Sequence, residues 1–165
     1  MLVYHPAFDV YHGVFRALLL LEHTPGKSMP AGTLRIVDLY FVFPYLLATL
    51  DFPRGTGAQG RKLAALPSRF NNLPSPRTFL AQSEGLHRLI TSGLAGKGLI
   101  SDDSLQEGYI ERTPIHVPNE ILEKADNRDV ELAKYLGTNI ATIPLLGKRG
   151  LKDRSKLMEF RYDPV

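Results

Sequence analysis

The 165-residue chain has no cysteine, which excludes disulfides and thiolate metal sites and suits a reducing cytoplasm. It also has no apolar run of the ~18–20 residues that a membrane span requires. The nearest stretch, Ile36–Leu50, carries Asp38 and is interrupted by Pro44, so it is expected to form a buried core helix. The opening MLVYHPAFD has neither the basic nor the apolar region of a signal peptide. These absences together predict a cytoplasmic protein without a membrane partner. Acidic side chains are scarce in one place, since Glu84 is the sole carboxylate between residues 52 and 97.

That scarcity is part of a wider pattern. Net charge is only +3, but it alternates along the chain. Residues 1–51 carry three basic and four acidic side chains, and 52–97 carry seven basic against one acidic. Residues 101–131 then carry nine acidic and three basic, and 134–165 carry seven basic and three acidic. Each block biases what can approach it. In the first basic block the candidate partner or nucleic-acid contacts are Arg54, Arg61, Lys62, Arg69, Arg88 and Lys97. In the second they are Lys148, Arg149, Lys152, Arg154, Lys156 and Arg161, where phosphate contact would release counterions. The alternatives for the second block are a solvated tail or pairing with acidic groups of its own fold or of a partner.

Asp9 can cap a helix reaching about Glu22, apolar on nearly every side and therefore surrounded in the folded state. HTPGKSMPAG is expected to be a loop, with Thr33 capping a second helix that ends or kinks near Phe43 because Pro44 cannot continue it. Residues 52–74, rich in Gly and Arg, read as an extended loop. Ser75-Pro76 begins a helix to about Gln82, and a second is expected after Gly85 with Leu86, Leu89, Ile90 and Leu94 on one face. Leu99-Ile100 and Tyr109–Arg112 read as two short strands across the turn SDDSLQEG. EILEKA, a helix over about 127–140, and an irregular C-terminal segment with a strand at 157–162 complete the chain. The 1–165 span is thus read as one domain comprising an apolar helical pair (1–51), a Gly/Arg-rich loop (52–74), a helix-helix-wing unit (75–117) and a helical and basic C-terminal segment (118–165). The fold class is mainly α with a small β wing (α+β), a winged-helix-like core with added N- and C-terminal helices.

Several motifs fail on context. GTGAQG at 55–60 matches G-x-G-x-x-G, but an apolar helix with Pro53 precedes it where the fingerprint needs a strand, and Pro67 cuts any following helix short, so it reads as a flexible loop. GKRGLK at 147–152 lacks the upstream glycine and trailing hydroxyl of a phosphate-binding loop. His5, His12, His23, His87 and His116 include no i,i+4 pair for zinc, and Ser83, His87 and Asp102 do not make a triad by spacing alone. Neither a cofactor nor a catalytic residue is assigned. Asp38, almost alone among apolar residues, is read as a buried ion pair with Arg35 or Arg16. A DNA-gripping winged helix presents Lys and Arg on its recognition helix and wing. Here the helix would offer only His87, Arg88 and Lys97, and the wing carries Asp102, Asp103, Glu107 and Glu111, so the wing is expected to pack on protein.

Four blocks in this order, YHPAFDVYHGVFRALLLL, LRIVDLYFVFPYLL, LAGKGLI and GLKDRSKLMEFRYD, resemble the middle component of prokaryotic ABC-three-component conflict systems. The recurrent positions are Tyr4, His5, Pro6, Phe8, Asp9, Asp38, Pro44, Lys97, Gly98, Leu99, Gly150, Leu151, Lys152, Arg154 and Met158 through Tyr162. The resemblance implies a non-enzymatic accessory subunit in antiviral defence, encoded beside an SMC-like or Rad50-like ABC ATPase and an effector subunit. DNA would be met through the complex, with no small-molecule substrate. The alternative is a direct winged-helix DNA-binding module or transcriptional regulator. Reversing Lys152, Arg154 and Lys156 to Glu is expected to abolish partner or DNA binding and leave the fold intact.

Overall fold

The computed structural model describes residues 5–157. Asp9 caps α1 (Val10–Glu22) by accepting a hydrogen bond from the Tyr11 amide at 2.7 Å. The run Ala17–Leu21 is buried almost completely, because α1 lies against α2 (Ala31–Val42), α4 (Pro76–Gly96) and the C-terminal helices. Residues 36–43 of the second helix and its cap are buried on every side, which explains a segment with no polar face. Pro44 ends that helix as expected, leaving Phe43 outside helical geometry before a 3₁₀ stretch, Pro44–Thr49.

The segment HTPGKSMPAG is not merely a loop. Ser28–Pro30 forms strand β1, which pairs antiparallel with β2 (Tyr109–Glu111) in the register Met29 opposite Ile110. Both of those side chains are buried, and Pro30 is tolerated because a two-stranded sheet consists only of edges. The expected hairpin between 99–100 and 109–112 contracts to a single bridge, Ile100 to Arg112. Its acidic turn is instead a short helix, α5 (Asp102–Gln106), capped by Ser101. Asp102 and Asp103 occupy the first turn of that helix, where carboxylates favour the partial positive charge of the helix terminus.

Two other segments fold differently from expectation for local reasons. Residues 57–63 are helical (α3, Gly57–Leu63), so the last four residues of GTGAQG are helix and the first two turn, rather than a free loop. Gly60 faces the Phe52 ring and the Tyr135 hydroxyl so closely that an added Cβ would lie 2.3 and 2.4 Å from them; the glycine is there for packing. The helix at Ser75-Pro76 does not stop before Gly85 but runs unbroken for 21 residues, ~30 Å at 1.5 Å per residue. Gly85 meets nothing within 4 Å, so it costs propensity, about 1 kcal/mol, without breaking the rod. Phe79, Ser83, Leu86, His87, Ile90 and Leu94 form its buried stripe. Leu89, expected on that face, is 58% exposed, because a helix continuous through Gly85 turns it away from the stripe. The helix closes in a Schellman motif, with Leu99 N–H donating to Leu94 and Gly98 N–H to Ala95 while Gly98 takes φ +69°.

Helices α6 (Asn119–Leu122) and α7 (Asn127–Tyr135), the latter capped by Asp126 and extended by a π turn over Leu136–Ile140, also pack on α1. The C-terminal segment, expected to be irregular, contains α8 (Leu151–Ser155). The expected strand at 157–162 lies, beyond Leu157, outside the described residues. The result is a mainly helical protein with one two-stranded antiparallel sheet among the described residues.

Candidate interaction surface

The buried charges come first, because they fix the helices that carry everything else. Arg16 of α1 and Asp38 of α2 form a two-pronged pair, Nε to Oδ1 at 2.5 Å and Nη2 to Oδ2 at 3.1 Å. This is the ion pair expected for Asp38, with Arg16 rather than Arg35 as its partner; Arg35 donates instead to the Leu80 carbonyl at 2.9 Å. His87 of α4 adds a third contact, Nε2 to Oδ2 of Asp38 at 3.0 Å. Arg16, Asp38 and His87 are 1%, 2% and 7% exposed. Burial by itself would raise the Asp38 pKa, but the Arg16 charge and the hydrogen bonds from His87 and Arg16 outweigh it, and the carboxyl titrates well below the ordinary carboxylate range. One carboxylate therefore pins three helices together.

His87, expected from sequence among the cations offered to DNA, is instead inside the core. The signal lies in its spacing, eight residues after Phe79 and three before Ile90, once the helix is taken as continuous. Ser83 on the same face donates to the Leu80 carbonyl at 2.8 Å, and Asp102 belongs to the first turn of α5, so the three do not assemble as a triad.

The basic residues divide into two groups. Those committed to the protein's own fold include Arg69, which pairs with Asp126 at 3.3 Å and contacts the fully buried Asp129. Arg88 bonds Glu84 one helical turn away at 2.7 Å. Arg154 donates through Nε to the Arg149 carbonyl at 2.7 Å and through Nη1 to the Asp51 carbonyl at 3.0 Å. The Asp51 amide in turn donates to the Arg154 carbonyl at 3.1 Å. Arg149 takes φ +63° and its amide donates to Asp153. Charge reversal that includes Arg154 would thus disturb the fold, contrary to the sequence expectation.

The second group faces solvent. Arg54, Lys62, Lys97, Lys148 and Lys156 are exposed and make no ion pair among the described residues; Arg61, also exposed, lies over the Phe52 ring at 5.9 Å. Lys152 is half-buried on α8, and Arg161 lies outside the described residues. The Asp51–Arg154 clasp sets residues 149–156 beside Asp51, three residues before Arg54 and six before α3. The clasp therefore joins the C-terminal basic block to the start of the first, about a hundred positions earlier in sequence. Lys97 does not join them. It caps the C-terminal end of α4, whereas Pro76 at the other end borders a small cavity with Ser155 and Lys156.

A two-stranded sheet and a buried charged clamp within a mainly helical fold place the chain among mainly helical proteins, without a helix among its described residues that is long and apolar enough to cross a membrane. The chain belongs to the family described as ABC-three component (ABC-3C) system Middle Component 5, matched over residues 2–163. It is therefore the middle component of a three-part system and has partner components. No curated protein and no solved structure matches it.

Proposed function

We propose that this middle component is a non-enzymatic adaptor in a prokaryotic antiviral system, docking on an SMC-like ABC ATPase subunit and linking it to an effector subunit. The observation that carries this reading is the Asp51–Arg154 clasp, which holds the C-terminal basic segment against the start of the first basic block; on this reading the exposed Arg54, Lys62, Lys148 and Lys156 form one basic face. An adaptor needs a rigid body and an uncommitted surface, and the core clamp and this face supply them. Within the complex that face would contact an acidic partner surface or DNA held by the ATPase.

The alternative, a winged-helix module that binds DNA by itself, draws on the element order α1, β1, α2, α4, Ile100 bridge, β2. The acidic groups of α5 oppose it, since the loop that would approach phosphate carries Asp102, Asp103 and Glu107. Co-expression with the ATPase and effector components separates the two. Replacing Arg54, Lys62, Lys148 and Lys156 by Glu should abolish co-purification while the far-UV circular dichroism and melting temperature stay the same. Steeply salt-dependent duplex binding by the isolated chain, with co-purification untouched by the four reversals, would replace the adaptor with the DNA-binding module.

A further inference from the structure

One cavity among the described residues is lined by none of Arg54, Lys62, Lys148 and Lys156. It has a volume of about 910 Å³ and is bounded by α1, the 69–72 loop and α6. A site of ~300–1,000 Å³ with mostly apolar walls and a few placed polar groups is the form that small organic ligands occupy. The walls here are rings and aliphatic groups, with Tyr11, Phe15, Phe41, Phe70 and Ile121 among them, and no carboxylate of the described residues lines the space. Tyr11 stands 86% exposed at the rim.

The polar groups point to the charge of the occupant. Arg16, almost wholly buried, lines this cavity, and its Nε and Nη2 are used on Asp38 and on the Ala7 carbonyl. Its Nη1 is buried with no hydrogen-bond partner among the described residues, and a charged donor left in that state is expensive enough to need a reason. The Phe70 ring lies against the guanidinium, 5.9 Å from centroid to Cζ. His12 meets the edge of the same ring, and Lys124 and Arg69 stand at the margin. Arg69 is already paired with Asp126 and Asp129, which leaves Lys124 as the margin's uncompensated cation among the described residues.

We infer that this cavity binds a small organic anion, a flat apolar ring joined to a single oxyanion. The ring stacks in place of, or upon, Phe70, and displacement of that side chain lets the oxyanion accept from Arg16 Nη1, with Lys124 supplying the second charge. Phosphate and carboxylate share this chemistry, and both sources are covered by the test.

The chain has no tryptophan and seven tyrosines, so Tyr11→Trp at the exposed rim places a single tryptophan, excited apart from the tyrosines, beside the site without altering Phe70. Purified full-length Y11W is titrated with phenyl phosphate, with phenylacetate and with inorganic phosphate. A saturable change in emission with either aromatic anion is expected, with inorganic phosphate far weaker, and the more effective of the two identifies the oxyanion. Lys124→Glu in the Y11W background should weaken binding about tenfold or more. Because Arg16→Ala threatens the fold itself, the surface substitution at Lys124 carries the test. No saturable response to either aromatic anion at millimolar concentration, or responses indifferent to Lys124→Glu, would overturn the assignment. So would an emission change produced only by the ATPase or effector component, which would make the cavity a protein-docking site.

Discussion

Arg16 and Arg154 each hold two distant stretches of chain together, and the contrast between them separates the parts of the molecule that cannot change from those that can. Arg16 and its carboxylate partner have side chains only 2% and 4% exposed, whereas Arg154 is 11% exposed and its partner Asp51 is 59% exposed. In the first case water cannot compensate a lost partner, and breaking the pair leaves a bare charge in a low-dielectric core. In the second, the Asp51 carboxylate contributes little at 3.5 Å in solvent, and the hydrogen bonds to the Arg149 and Asp51 carbonyls do most of the holding. Charge therefore has two uses in this chain: a buried clamp that fixes three helices, and a partly solvated clasp that shapes a surface.

The strongest way to break this comparison is to remove one member of the clamp. Arg16→Ala should lower the unfolding free energy by ~3–5 kcal/mol in urea titrations, and Arg16→Met combined with Asp38→Leu should cost less than either of those changes alone. A loss below ~1 kcal/mol for Arg16→Ala would place Arg16 with the surface pairs. The next effect is on acid stability. The folded-state pKa of Asp38 is depressed, so its contribution is fully present above the unfolded-state value of ~4 and is lost as pH falls through the folded-state value. Urea midpoints for the native chain should thus fall steeply below about pH 4, and Asp38→Asn, already less stable at neutral pH, should flatten that decline. Equal slopes for the two chains would remove Asp38 from acid unfolding.

Smaller effects test the clasp. Arg154→Ala removes two carbonyl hydrogen bonds and should cost ~1–2 kcal/mol, together with faster amide exchange at Asp51 and through α8. Smallest of all, the reversal of Arg54, Lys62, Lys148 and Lys156 should move stability by no more than ~0.5 kcal/mol despite its predicted loss of partners. If that variant unfolded as readily as Arg16→Ala, the exposed cations would be part of the fold and the distinction between clamp and clasp would collapse.

Much of the helical framework is legible in the sequence. Caps at Asp9 and Ser75 and the stop at Pro44 all depend on neighbours within four residues, and each appears where the residue type predicts it. The misreadings share a cause. β1 is hidden by Pro25, Gly26 and Pro30 because a strand of three residues exists only through its partner about eighty positions away. Gly85 reads as a break because helix propensity ignores the packing of Phe79 and Leu94 on either side of it.

What the sequence decided alone was whatever short-range sterics and hydrogen bonding settle: where most helices start and stop, which segments must be buried, and that Asp38 needed a cation. The tertiary structure decided which cation, brought His87 to the same carboxylate, and divided the basic candidates between internal bonds and free surface. Those outcomes depend on distances between residues dozens of positions apart, and a guanidinium's value changes with the dielectric around it. Linear order carries no record of either until the chain has folded.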